Sequence, residues 1–326
     1  MQGSRLYKKM ISLALSILLI GLGIFAWNNK WEIHDRWVAK SYKETVDSSE
    51  VLSNLNLTGR GELVFKASLT EVDDKNNFKE RCPVERFEEA NVLGCYSARR
   101  IYVLKVDEPR LAGVEEVTAA HELFHAQFER MSGGKKADLK QKLATLRKGV
   151  TDTEVNNLIE SYRSNLGEGE ELYNEIFAIY GTQLDSVGEE LENIYSEYFK
   201  NRSGIVARYK AYSSEFSNIQ QKIEAYDAEL AELKSEKDSL EAEAQALSEE
   251  LNTEKLELDN LSSGDSVEQY QASAEEYNRK VGVYNSKVER IREIIDEYNA
   301  LVEVRNQEAL SAKNLTDTLN ANVESI

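Results

Sequence analysis

The apolar positions of this chain change their period along its length, and each change predicts an element. Ile11 to Trp27 (ISLALSILLIGLGIFAW) is 17 residues without a charge. At ~1.5 Å per residue that stretch spans about 26 Å, the short end of a membrane-crossing helix. Residues 28–57 are polar with a weak helical period and read as a spacer. Residues 62–72 (ELVFKASLTEV) and 99–106 (RRIYVLKV) are rich in strand formers, and the second alternates, so both predict strands. From Val114 onward the period is helical. Residues 135–148, 151–164 and 168–182 each predict one helix, separated by Gly149 and Gly167.

The last third follows a heptad. Phe216, Ile219, Ile223, Tyr226, Leu230, Leu233, Leu240, Ala244, Leu247, Leu251, Leu258 and Leu261 recur in steps of three and four, interrupted at Lys237 and Glu254. A turn signal follows at Ser262 to Ser266. A second seam starts at Val267 and runs through Tyr270, Ala274, Tyr277, Val281, Tyr284, Val288, Ile291, Ile295, Tyr298 and Val302. Two arms of equal length around one turn predict an antiparallel coiled-coil hairpin; a parallel homodimer through the same seams is the alternative. Leu315, Leu319, Val323 and Ile326 extend the second helix.

Composition narrows the function. The chain holds 58 Asp and Glu against 40 Lys and Arg, a net charge of -18. Nucleic acid is excluded as a bulk electrostatic partner, because binding it requires cations that displace counterions. Residues 206–326 contribute 26 acids and 13 bases, a net of -13, as befits a solvated coil that needs no basic partner. Around the apolar segment, Arg5, Lys8 and Lys9 precede it, while Lys30, Arg36 and Lys40 are mixed with Glu32 and Asp35 after it. The denser positive charge on the N-terminal side places residues 1–10 in the cytoplasm, residues 11–27 across the membrane and the remainder outside. Trp27 and Trp31 suit the outer interface. A cleaved signal peptide is the competing reading, with Ala26 near the cleavage site, and it also exports the chain. In an oxidising compartment Cys82 and Cys95 are expected to form a disulfide.

Candidate chemistry is confined to residues 114–131, VEEVTAAHELFHAQFERM. His121-Glu122-Leu123-Phe124-His125 is H-E-x-x-H on a helical pattern. Residues i and i+4 lie one above the other on a helix, so two imidazoles face one point. Neutral imidazole nitrogens suit Zn²⁺, and Glu122 beside the first His is placed to act as a general base. Val117, Ala120, Phe124 and Phe128 supply a buried side.

This segment resembles the active-site helix of zincin metallopeptidases. The resemblance implies an antiparallel edge strand before the helix that pairs with extended substrate, for which residues 99–106 are the candidate. It also implies a third metal ligand. The metzincin extension is absent, because Phe128 and Met131 stand where its Gly and third His would be. His34 is set apart by its place beside the apolar segment. The stretch Glu171 to Thr182 (ELYNEIFAIYGT) resembles the third-ligand helix of gluzincins and implies Glu175 as the ligand. Ile179 departs from that pattern, standing where many gluzincins have an Asp that orients a His. A shifted frame would make Glu171 the ligand and Glu175 the orienting group. Asp185 is a further candidate, through a partial likeness to the aspzincin Gly-Thr-x-Asp. Tyr162, Tyr173 and Tyr180 are alternative partners for the oxyanion.

The expected architecture is an α+β, zincin-like domain over 58–205, with a small antiparallel or mixed sheet and active-site helices. A coiled-coil hairpin over 206–326 and an N-terminal transmembrane helix complete it. The expected activity is metal-dependent hydrolysis of peptide bonds outside the cytoplasm. Zn²⁺ would be held by His121, His125 and Glu175, with Glu122 as the base and a protein or peptide as substrate. The hairpin is open to self-association or to an envelope partner. A surface scaffold whose coil does the work, with a structural or inactive zinc site, is the alternative.

Overall fold

Caps and buried stripes explain where the elements of this chain begin and end. The computed structural model describes residues 2–82, 92–261 and 267–320, with side chains from Leu15 onward. Helix α1 (Gln2–Asn28) runs into α2 (Lys30–Val38). Helix α3 (Val46–Asn54) starts at a capping box between Thr45 and Ser48, and α4 (Gly59–Ala67) starts at Thr58, whose hydroxyl accepts from the Gly61 N–H at 3.1 Å. Strand β1 (Glu71–Asp73) and α5 (Lys75–Arg81) lead to β2 (Gly94–Ser97) and β3 (Arg100–Leu104). Helices α6 (Val114–Arg130), α7 (Gly133–Arg147), α8 (Thr153–Leu166), α9 (Glu170–Gln183) and α10 (Glu189–Tyr195) follow. Two long helices, α11 (Arg202–Leu261) and α12 (Val267–Leu319), close the chain.

Residues 62–72 were expected to form a strand and instead are helical up to Ala67. The Thr58 cap nucleates the turn, and Gly61, Val64, Phe65 and Ala67 then fall on one buried face at helical spacing. Burial of that face outweighs the strand preference of Val64 and Phe65. The sheet has the order β1-β3-β2, with β1 parallel and β2 antiparallel to β3. Residues 99–106 therefore supply the middle strand and not the expected edge. Strand β2 is the edge beside the helices. Ala98 and Arg99, both at positive φ, make the two-residue turn between β2 and β3.

Residues 28–57, expected as a spacer, are built into the core. Val51, Leu55 and Leu57 bury together with Phe65, Ile101 and the residues of α6 and α9. Asp35 on α2 is buried and forms a two-pronged ion pair with Arg130 at the end of α6, both contacts 2.9 Å. Trp31 is part-buried, under Arg99 and Arg130 at 4.9 and 5.3 Å. Cys82 and Cys95 form the expected disulfide, which ties α5 to β2 beside Phe78 and Leu104.

Among the described residues no helix is long and apolar enough to cross a membrane. The transmembrane span expected over 11–27 is thus unsupported.

The chain divides into two units, residues 1–215 with 315–326, and residues 216–314. The second unit is a helical hairpin. Asp227 pairs with Arg305, Glu236 with Arg290, Glu243 with Lys287, and Glu250 with Lys280. Partner numbers fall as the first numbers rise, which is antiparallel register. Three seam positions are corrected: Val267 is 72% exposed and Tyr270 42%, and Ile295 is 40% exposed where its neighbour Ile294 is 1%. Adjacent isoleucines leave the heptad ambiguous by one residue, and packing selects the first. The expected turn at 262–266 and the seam residues Val323 and Ile326 lie outside the described residues.

Candidate metal centre

Helix α6 is hidden on most of its sides, as a helix at the centre of a domain must be. Ala119, Ala120, Leu123, Phe124 and Ala126 have no exposed surface. Phe124, between the two histidines in sequence, anchors the helix. Its ring lies 4.9 Å from those of Tyr195 and Phe199 and 5.4 Å from that of Phe177. Helix α9 packs directly on α6. Gly181 is the reason it can come close, because a Cβ there would overlap the Phe124 ring. Ala178, one turn earlier on the same face, is also fully buried.

That contact carries Glu175 to the histidines. Its two carboxylate oxygens lie 3.5 Å from His121 Nε2 and 3.6 Å from His125 Nε2. The imidazoles meet edge to face with centroids 4.8 Å apart. These separations are too wide for good hydrogen bonds. Ligand atoms ~2.0–2.2 Å from a tetrahedral ion stand about 3.3–3.6 Å apart, so the spacing fits a shared metal. Two imidazole nitrogens and a carboxylate are a donor set that zinc accepts, and all three side chains keep 10–20% exposure. Burial pushes the Glu175 carboxyl up, but His125 and His121 outweigh it and hold the group below its usual range.

Glu122 is 6% exposed. Burial pushes its carboxyl up to about 7; His125 opposes the rise, Glu175 adds to it, and a hydrogen bond from the Tyr96 backbone opposes it. The edge strand thus touches the candidate base. Gly94 allows this approach, since a Cβ there would stand 2.5 Å from Thr118 Cγ2 and 2.9 Å from Glu122 Oε1. The Leu104 N–H donates to the Leu93 carbonyl, and Cys95 lies opposite Tyr102. Alternation then turns the backbone N–H and C=O of Gly94 and Tyr96 away from β3, onto the free edge.

Of the other sequence candidates, Glu171 is exposed and outside the cluster. Asp185 pairs with Lys210. His34 stands 3.4 Å from Asp35. Tyr180 is completely buried and its hydroxyl has no partner among the described residues; burial pushes it up to about 12. Tyr173 lies under Lys140, and Tyr162 packs against the core. Ile179 is buried and apolar, and His125 Nδ1 has no hydrogen-bond partner among the described residues.

Sequence reasoning missed Gly94 and Tyr96 as neighbours of Glu122 and predicted no strand over them. A four-residue strand carries too little alternation to be seen. It also missed a cavity of about 140 Å³ lined by Arg60, Gln127, Arg130, Lys135 and Tyr198. That cavity holds neither histidine nor Glu175, and its side chains form no ligand or nucleophile set.

No protein-family model, curated protein or solved structure matches this chain.

Proposed function

We propose that the chain is a zinc-dependent metallopeptidase that hydrolyses peptide bonds outside the cytoplasm, tethered to a membrane by α1. The observation that carries this reading is the convergence of His121, His125 and Glu175 at ligand spacing, with Glu122 buried alongside. Zinc held by those three residues would supply a Lewis acid that polarises the scissile carbonyl and acidifies water. Glu122 takes a proton from the attacking water and returns it to the departing amine. The buried carboxyl suits both halves of that task, because burial weakens the preference for the charged form.

Substrate binding falls to β2. The Gly94 N–H and C=O and the Tyr96 C=O accept an extended peptide by strand addition, beside the Tyr96 N–H that holds Glu122, which lays the scissile bond along Glu122. The disulfide at Cys95 holds that strand in place and accords with an oxidising compartment. The tether is supported by the apolar side chains of Leu15 to Trp27, which are exposed along α1.

Glu122→Gln is expected to abolish peptide cleavage while zinc content is unchanged, as read by a quenched-peptide assay beside metal analysis. Cleavage at the wild-type rate in that variant removes the mechanism. In that case the scaffold reading, which the length of the hairpin favours, takes its place.

A further inference from the structure

Helix α2 has two faces of different character. Trp31, Asp35 and Val38 face the domain, and the Asp35–Arg130 ion pair locks that face to α6. The other face carries Lys30, Ile33, Trp37 and, just beyond the helix end, Lys40, at spacings of three, four and three. Ile33 is 49% exposed and Trp37 74%. Nothing among the described residues covers them. A tryptophan and an isoleucine flanked by lysines on a helix locked to a domain cost solubility unless something receives them.

We propose that this face of α2 is a membrane-surface contact that lies flat at the headgroup level of an anionic bilayer. Two observations select lipid. Exposed apolar side chains cover α1 from Leu15 to Trp27, and α2 begins at Lys30, one residue after α1 ends, so the face of Ile33 and Trp37 follows directly on the apolar helix. Residues 30–43 hold four bases (Lys30, Arg36, Lys40, Lys43) and two acids (Glu32, Asp35), a net of +2, in a chain of net charge -18. Asp35 is neutralised by Arg130 and Glu32 by Arg36, which leaves Lys30, Lys40 and Lys43 to meet negative headgroups. Trp37 then sits where an amphipathic ring is most stable, between acyl chains and water. Because the Asp35–Arg130 pair joins α2 to the metal-site helix, this contact holds the site against the bilayer surface and directs it to membrane-proximal protein segments. The inference rests on the tether and not on the peptidase.

The test uses the full chain in vesicles with brominated acyl chains, which quench tryptophan on contact. The chain has three tryptophans, Trp27, Trp31 and Trp37. The difference in emission between wild type and Trp37→Phe reads Trp37 without disturbing the Trp31 stack; the difference from Trp27→Phe reads α1. In vesicles containing phosphatidylglycerol, Trp37 is expected to shift to the blue and lose most of its emission. The triple variant Lys30→Glu, Lys40→Glu, Lys43→Glu should restore it while Trp27 stays quenched. A quenched Trp27 with an unquenched Trp37 would overturn the surface contact and leave the tether intact. If neither is quenched, tether and contact both fail. Equal quenching of Trp37 in purely neutral phosphatidylcholine vesicles would overturn the role of the lysines.

Discussion

The two units of this molecule solve the problem of burying apolar surface in different ways. In the first, short helices cross a three-stranded sheet, and Tyr195, Phe65, Phe124, Phe177 and Phe199 lose essentially all exposure. Polar groups go inside with partners, as in the Arg130–Asp35 pair. In the hairpin, each helix has only one neighbour and only one stripe to hide. Ile219, Ala244, Leu251 and Ile294 are its deeply buried hydrophobics, and its charges pair on the outside. A domain that surrounds a helix on several sides can hold side chains to the tolerance a metal site needs. A two-helix arm cannot, and it offers length and surface instead.

The difference can be broken at its largest effect first. Arg130→Met strands Asp35 without its cation and is expected to cost about 3–5 kcal/mol, read as a lower urea midpoint of tryptophan fluorescence. All three tryptophans lie in the first unit, so this probe does not see the arm. Ile294→Ala removes the most buried residue of the hairpin and should cost about 2–4 kcal/mol there. It should shift the circular dichroism transition, which the long helices dominate, and leave the fluorescence transition in place. Gly181→Ala forces a methyl against Phe124, with an expected cost of about 1–3 kcal/mol. Because it pushes α9 off α6, zinc affinity should fall as well, as measured by chelator competition. Arg290→Ala, which removes exposed pairs with Glu236, Glu293 and Glu297, should lower the circular dichroism transition far less than Ile294→Ala does and leave the fluorescence transition in place. A large shift from Arg290→Ala, or none from Arg130→Met, would erase the contrast between the units.

What the sequence revealed depended on range. The hairpin and α6 to α9 were legible because periodicity is local, and His121, Glu122 and His125 because i, i+4 spacing is local too. Glu175 was reached through the likeness of its flanking residues to a known helix and not through any pattern of its own. The Asp35–Arg130 pair spans 95 positions and leaves no periodic trace, so residues 28–57 read as a spacer. Val64 and Phe65 favour strands as isolated residues, but a cap at Thr58 and a buried helical face decided otherwise. β2 was hidden by its brevity and by Gly94, whose value lies in what it permits Glu122 to approach.

The most direct measurement is the zinc content of the purified full chain as wild type, Glu175→Gln and Glu171→Gln, each shown to be folded. About one zinc per chain is expected in wild type and in Glu171→Gln, with loss in Glu175→Gln. A folded wild type that binds no zinc, or a Glu175→Gln variant that keeps it as tightly, would contradict a metal centre built from His121, His125 and Glu175.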